Sequence, residues 1–295
     1  MLGLNYDGIA PNDDAGELLT ALAAQPELRN VVLEYTPVSD AHLRLFVAAT
    51  QLERLKLERC NTDTGAVAGL TAIVAGCPLL KILELTQFDV GDPDEAGVDY
   101  YNLVHGASAA DVGAFAAAVA GSRLQELALC NVRAFEPAVA GGLFQDTPGA
   151  RLLDALRGHA TLFALQLELG SPRIQDEHEA PLVRALRRLL RDPGCRLRAL
   201  YAAANEFTVA STRRLLAAAA TCHTLTHLDV WDNNVDVADV ERLRAVRPDM
   251  HVRISERPNA RAAENHDADA EAEDEAPGAQ AHNAAAPLHA PVDDE

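Results

Sequence analysis

The segment LERLKLERCN, residues 52–61, decides how this chain folds. Four of its residues, Leu52, Leu55, Leu57 and Cys60, set the register L-x-x-L-x-L-x-x-C. In an extended strand, residues at alternate positions point to one face and the residues between them point to the other. A single strand of this kind cannot bury its leucines, so the pattern predicts further strands stacked on the same register.

The same register recurs along the chain, more loosely at both ends. The other matching segments are Leu2/Leu4/Asp7, Leu28/Val31/Leu33/Thr36, Leu80/Leu83/Leu85/Phe88, Leu124/Leu127/Leu129/Val132, Leu162/Leu165/Leu167/Gly170, Leu197/Leu200/Ala202/Asn205, Leu225/Leu228/Val230/Asn233 and Met250/Val252/Ile254. From residue 28 onward, successive repeats start 24, 28, 44, 38, 35, 28 and 22 residues apart. Repetition at such spacing is typical of a solenoid, which stacks its repeats and presents one long surface.

Between the strands the hydrophobic period changes from two to about 3.6, which predicts a helix in the connections. The expected helices cover 13–25, 62–76, 108–120, 178–191 and 208–222. Three of them begin at side chains that can accept a hydrogen bond from the first helical turn. These N-cap candidates are Thr62 or Asp63, Ser108 and Thr208.

The motif at 52–61, the shorter repeat spacings and the helix after each strand resemble the leucine-rich repeat family. Within that family they are most similar to the ribonuclease-inhibitor-like branch, over roughly residues 1–256. The resemblance implies an α/β solenoid shaped as a horseshoe, with about nine strands. Its parallel sheet would form the concave face and its helices the convex face.

Composition divides the chain into two parts. Residues 1–256 are predicted to form the solenoid, and residues 257–295 a disordered, acidic, alanine-rich tail with almost no large apolar side chain. The two longest repeats place insertions near 88–106 and 137–148, which we expect to be surface loops. The first insertion is rich in aspartate, but it lacks the ligand spacing of an EF-hand calcium site.

The first predicted strand falls almost on Met1, although solenoids usually shield their first repeat. Three interpretations remain open: the exposed strand is tolerated, it pairs with another segment, or further residues precede it.

Charge and apolar content exclude several classes of function. The formal net charge is −19, which argues against general nucleic-acid binding and against binding to anionic membranes. No apolar run is long enough to span a bilayer and no signal peptide is recognisable, so we expect a cytoplasmic protein. The five scattered cysteines form no C-x-x-C pair and therefore predict buried free thiols.

No motif for nucleotide binding, metal-dependent hydrolysis or nucleophilic catalysis occurs in the sequence. We therefore predict a monomeric, non-enzymatic protein with no catalytic residue, no metal site and no cofactor. His223 and His227 are four residues apart, but the first falls in a predicted loop and the second on a predicted strand. That placement argues against a shared zinc site.

The register predicts which side chains line the concave face, because they alternate with the buried leucines. The candidate partner-binding residues are Arg54 and Lys56 near one end, and Tyr201, His227, Asp229, Trp231, His251 and Arg253 near the other. Trp231, the only tryptophan, and Tyr201 are predicted anchors, since aromatic residues and arginine dominate interface energies. Alternatively, Trp231 packs against Asp232, Asn233 or the terminal cap.

Between these two ends the register places small residues on the same face. Ala128, Ala164, Ala199 and Ala203 predict a flat floor of low charge.

Helix 178–191 carries a second pattern. Arg184, Arg187, Arg188 and Arg191 recur at helical spacing on one face, with leucines on the core side. They form either a solvated outer face or a stripe that docks an acidic partner or the acidic tail.

A solenoid without catalytic motifs predicts a protein–protein interaction module that binds a protein partner on its concave face. Two alternatives follow from the resemblance. One is substrate recognition in an F-box-type ubiquitin ligase, although no F-box occurs in this sequence. The other is GTPase activation of the ribonuclease-inhibitor-like type, although nothing singles out a catalytic arginine or asparagine.

Overall fold

The computed structural model describes residues 2–5, 14–36, 38–60, 66–86, 108–132, 147–169 and 181–255. Within these residues nine strands form one sheet, in which each strand pairs in parallel with the next in sequence. The strands are β1 Leu2–Asn5, β2 Asn30–Glu34, β3 Arg54–Glu58, β4 Ile82–Thr86, β5 Glu126–Cys130, β6 Ala164–Glu168, β7 Ala199–Tyr201, β8 His227–Asp229 and β9 His251–Arg253. This sequential, all-parallel order confirms the predicted α/β leucine-rich repeat solenoid.

Helices occupy the connections between the strands. Those in the described residues are α1 Asp14–Ala23, α2 Asp40–Leu45, α3 Val67–Gly76, α4 Ala109–Ala120, α5 Pro148–Ala155, α6 Pro181–Leu190, α7 Val209–Thr221 and α8 Val237–Val246, with a 3₁₀ helix at Phe46–Ala48 after α2. None of these helices is both long enough and apolar enough to cross a membrane.

The strand register matches the leucine pattern. Leu55 of β3 lies beside Leu83 of β4, which lies beside Leu127 of β5, and the ladder continues through Leu165 and Leu200. All five side chains are at most 1 % exposed and share one core with the apolar faces of the helices. Burying each leucine contributes roughly 1.5–3 kcal/mol, so the ladder is the main cohesive element between repeats.

Two of the three predicted helix caps are confirmed. Ser108 accepts a hydrogen bond from the Asp111 backbone N–H, and Thr208 accepts one from Ser211. The predicted cap of α3 is wrong, because that helix begins at Val67 after Ala66, which has no side-chain oxygen. The polar residues Thr62 and Asp63 lie outside the described residues.

After most strands the chain leaves the sheet through a residue in the left-handed conformation. Tyr35, Arg59, Asn131, Ala204 and Asp232 occupy this place, with φ between 51° and 55°. The following residue turns back into the core at a place we call the asparagine position. The residues at this position are Thr36, Cys60, Val132, Asn205 and Asn233, and all five are buried.

Other predictions are tested only in part. All five cysteines are free and buried, as predicted. The whole first insertion, most of the second and the tail at 257–295 lie outside the described residues. The division of the chain at residue 256 therefore stays a prediction.

Candidate functional site

The sheet has one face covered by helices and one face that the helices leave uncovered, here called the open face. Three columns of side chains cross it, because alternate residues of each strand point the same way. Next to the core ladder, for example, Lys56 lies beside Glu84, and Glu84 lies beside Ala128. All eight residues predicted from the register occupy such open-face positions.

Six of the eight lie on or directly after the last three strands, and we call them the C-terminal cluster. They are Tyr201, His227, Asp229, Trp231, His251 and Arg253. Tyr201 is 38 % and Trp231 42 % exposed, whereas most large apolar side chains of the solenoid are buried. Exposed aromatic groups of this size contribute strongly to interfaces when a partner covers them.

The carboxylate of Asp229 holds two other residues of the C-terminal cluster in place. Its side chain is 10 % exposed, and one carboxylate oxygen accepts a hydrogen bond of 2.9 Å from the Trp231 backbone N–H. The other oxygen lies 3.1 Å from Nη1 of Arg253 on the neighbouring strand. One carboxylate therefore fixes the turn that carries Trp231 and orients Arg253.

Arg253 also contacts the tryptophan ring. Its guanidinium carbon lies 5.7 Å from the centre of the Trp231 ring, within the range of a cation–π interaction. The left-handed residue Asp232 follows Trp231 and turns the chain back toward the core. The aromatic ring is thus held between a defined turn and a cation, while much of its surface remains accessible.

Two imidazole rings extend the C-terminal cluster along the first column of the open face. His227 and His251 are register partners, and their rings stack with centroids 5.2 Å apart and planes 24° apart. The hydroxyl of Thr226 lies 2.9 Å from Nδ1 of His227. The stack forms a flat, partly polar wall beside Tyr201 and Arg253.

The residues of the C-terminal cluster other than Trp231 line a groove of about 620 Å³. Its wall also includes Arg244 of α8, whose Nη2 donates to the Val252 carbonyl over 3.3 Å, and Ile254. The groove therefore combines aromatic, imidazole, guanidinium and aliphatic groups, a mixture that suits a peptide segment or a folded protein surface.

The two site residues predicted near the other end are held by ion pairs. Arg54 Nη2 lies 2.9 Å from Glu84 across adjacent strands, and Lys56 Nζ lies 2.5 Å from Glu58 on its own strand. The hydrogen bond to Glu58 raises the pKa of Lys56 above its ordinary value. The structure thus places these cations on the open face, away from the C-terminal cluster.

The predicted low-charge floor is only partly correct. Ala128, Ala164, Ala199 and Ala203 lie half-buried between the two ends, but Glu126, Gln166 and Glu168 share the middle strands with them. The same alternation that found the alanines identifies these three residues, so sequence reasoning could have found them. The middle of the open face is acidic.

An exposed tyrosine with an arginine over its ring lies outside the predicted set of partner-binding residues. Tyr35, in the left-handed position after β2, is 39 % exposed, and the Arg59 guanidinium carbon lies 5.1 Å from its ring centre. Arg59 also donates a hydrogen bond to the Tyr35 hydroxyl. The only sequence signal for this pair is its place directly after two neighbouring strands, where the chain turns.

The arginine stripe of α6 is engaged with the solenoid itself. Arg188 Nε donates to Asp154 of α5 over 2.8 Å, and Arg187 is half-buried. Arg184 is exposed, and residues 178–180 of the predicted helix lie outside the described residues. At Arg188 these contacts favour packing between neighbouring helices over docking of the tail.

Comparisons with known proteins give little beyond the fold. No protein-family model and no curated protein matches the chain. Among solved structures, it is similar to an internalin from Listeria monocytogenes at 15 % identity and a TM-score of 0.27. That match covers 78 % of this chain and 68 % of the internalin. A similarity this weak carries no weight in the functional argument.

Proposed function

We propose that this protein binds a protein partner through the C-terminal cluster on its open face and has no chemistry of its own. The observation that carries the proposal is the exposure of Tyr201 and Trp231 on either side of Arg253, which lines one groove with Tyr201 and contacts the Trp231 ring. The exposed rings of Trp231 and Tyr201 do not stabilise the free protein, whereas burying their apolar surface against a partner lowers the free energy of the complex.

The remaining side chains of the cluster supply orientation. Asp229 pre-positions Arg253 and the Trp231 turn, so little side-chain freedom is lost when a partner docks. We assign Arg54 and Lys56 to the rim of the interface, because each already has a carboxylate partner and rim charges contribute little affinity. They would affect the association rate more than the stability of the complex.

The finer assignments rest on the sequence. We propose membership of the ribonuclease-inhibitor-like branch, supported by Cys60 at the asparagine position and by a full helix in most connections. A monomeric state, a cytoplasmic location and the absence of nucleic-acid, membrane and cofactor binding stay predictions. The F-box ligase and GTPase-activation alternatives also stay predictions, and no contact in the described residues favours either.

The proposal is tested by affinity capture with the immobilised full chain from lysate of the source cells, followed by mass spectrometry. We expect the double variant Tyr201→Ala/Trp231→Ala to keep the circular dichroism spectrum and melting temperature of the wild type. It should lose the proteins that the wild type captures, because each aromatic anchor contributes about 2 kcal/mol or more, roughly 30-fold in affinity.

Tyr35→Ala is the matched control, because Tyr35 is as exposed as Tyr201 and has an arginine over its ring, as Trp231 has. It should capture the same proteins as the wild type. Trp231 fluorescence gives an independent readout, with a blue shift when the captured protein is added back. Capture by the double variant equal to that of the wild type would overturn the proposal.

A further inference from the structure

Two buried thiols lie side by side behind the C-terminal strands. Cys195 precedes β7 and Cys222 ends α7 before β8, so the stacking of two repeats brings them together. Their sulfur atoms are 3.8 Å apart, and the residues are only 9 % and 4 % exposed.

Polar groups surround the sulfur of Cys222. The Thr224 hydroxyl lies 3.4 Å away. The guanidinium of Arg247, itself 8 % exposed, donates over 2.7 Å to the Cys222 carbonyl. These donors and the nearby positive charge stabilise a thiolate at this position.

The two sulfurs therefore have different acidities. The contact with Cys195, together with that of the Thr224 hydroxyl, lowers the pKa of Cys222 below its ordinary value. The same contact with Cys222, followed by burial, raises the pKa of Cys195. By contrast, burial raises the pKa of Cys60 and Cys77 to about 11.

We propose that Cys195 and Cys222 form a redox pair that a hydroperoxide, such as hydrogen peroxide, converts reversibly into a disulfide. A disulfide needs the sulfurs to approach to about 2.0 Å, a small movement from their present contact. Hydrogen peroxide is small enough to reach a nearly buried sulfur, whereas a tripeptide disulfide is not. The inference rests on the thiol geometry and is independent of the proposed binding function.

The reaction has two balanced steps. The Cys222 thiolate attacks one peroxide oxygen, the O–O bond breaks, and the departing hydroxide takes up a proton to leave water and a sulfenic acid. The Cys195 sulfur then attacks the Cys222 sulfur, the S–O bond breaks, and the hydroxyl leaves as water with the Cys195 proton. Two thiols and one peroxide give one disulfide and two waters, and an external dithiol reverses the change.

The bond would join the repeats that carry β7 and β8. Those strands present Tyr201, His227 and Asp229 on the open face, so the disulfide would tie together the floor of the C-terminal cluster. Oxidation should raise the melting temperature, because it closes a loop between residues 195 and 222 in the unfolded chain.

The test treats the native full-length protein with hydrogen peroxide, removes the peroxide, and counts thiols by alkylation after denaturation. We expect the five thiols to fall to three, with the missing two joined as a Cys195–Cys222 peptide in mass spectra. Dithiothreitol should restore all five. Persistence of all five thiols, or equal loss at Cys60 and Cys77, would overturn the proposal.

Single variants separate the roles of the two sulfurs. In Cys195→Ser the attacking thiolate remains without a resolving thiol, so a 1,3-diketone probe should label Cys222 as its sulfenic acid. In Cys222→Ser the same probe should label nothing. Labelling of Cys195 in the second variant, and none of Cys222 in the first, would reverse the assignment. The thiol count on the wild type stands even where a variant fails to fold.

Discussion

Neighbouring repeats are joined differently in the regions of β2–β6 and of β7–β9. The strands β2 to β6 each have five residues, whereas β7 to β9 have three. In the first region the asparagine position holds Thr36, Cys60 and Val132. In the second region it holds Asn205 and Asn233, so side-chain amides appear where the backbone ladder shortens.

The amide of Asn205 shows what this exchange achieves. Its Nδ2 donates to the Leu167 carbonyl over 2.8 Å and to Ala203 over 2.9 Å, and its Oδ1 accepts from the Leu169 N–H over 3.0 Å. Asn233 repeats the pattern by accepting from the backbone N–H groups of Asn205 and Phe207. The thiol of Cys60, by contrast, lies a long 3.4 Å from the Leu33 carbonyl of the preceding repeat.

The opposite end of the strands shows the same contrast. At the helix end, Cys77 reaches the preceding repeat through a thiol contact of 3.4 Å to the Phe46 carbonyl. In the second region, Arg247 donates to the Leu225 carbonyl over 2.7 Å, and His159, just before the last long strand β6, already contacts the Val119 carbonyl at 3.0 Å. Side chains at both ends of β7–β9 form hydrogen bonds to the neighbouring repeats, and these bonds take the place of the shorter backbone ladder. The exposed C-terminal cluster lies on these short strands.

The first and largest expected effect compares Asn205→Ala with Cys60→Ala at the same place in the repeat. Asn205→Ala leaves the buried Leu169 N–H and Leu167 carbonyl without partners and should lower the free energy of unfolding by about 2–4 kcal/mol. Cys60→Ala mainly creates a small cavity and should cost about 1 kcal/mol. Urea denaturation measures both values, and equal losses would break the comparison.

The second prediction concerns pH and His159, a buried side chain before β6 that contacts the preceding repeat. Burial lowers the pKa of this imidazole, while its contact with the Val119 carbonyl opposes the shift only in part. The unfolded chain therefore takes up a proton first, near the ordinary histidine pKa of about 6.5. Stability from His159 is present above that pH and is lost as the pH falls through the lowered folded pKa.

The matched variant is His159→Gln, which can still accept from the Thr161 and Leu162 N–H groups but cannot bind a proton. Urea denaturation at several pH values should show a shallower acid loss in the variant than in the wild type. Parallel pH profiles for the two proteins would show that folding does not change the pKa of His159 and would contradict the prediction.

The sequence predicted the inward leucines and the open-face residues because strand alternation depends only on local geometry. It placed Tyr201, Trp231 and the two histidines correctly on one surface. It could not give the Trp231–Arg253 contact, the Arg54–Glu84 ion pair or the Cys195–Cys222 pair. Each of these depends on the lateral alignment of separate repeats, and the variable repeat lengths hide that alignment from a single sequence.

Errors in the sequence prediction arose where local rules compete. Thr62 and Asp63 are good cap residues, yet α3 starts later, at Val67. Gly69 in its first turn offers an explanation, because its backbone N–H donates to Asp40 of α2 over 2.6 Å. A helix start fixed by a neighbouring helix is a tertiary effect, and capping preferences do not report it.

The smallest expected effect tests whether side chains matter to stacking in the first region. A double-mutant cycle of Arg54→Met and Glu84→Gln should give a coupling energy of only about 0.2–1 kcal/mol, because both groups are partly exposed. The coupling should shrink in about 1 M salt, where the screening length is about 3 Å. Each single variant should unfold close to the wild type, since the leucine ladder beneath β3 and β4 is untouched. A salt-resistant coupling above about 2 kcal/mol would show that side-chain bonds hold the long strands as well, because exposed pairs do not reach that value.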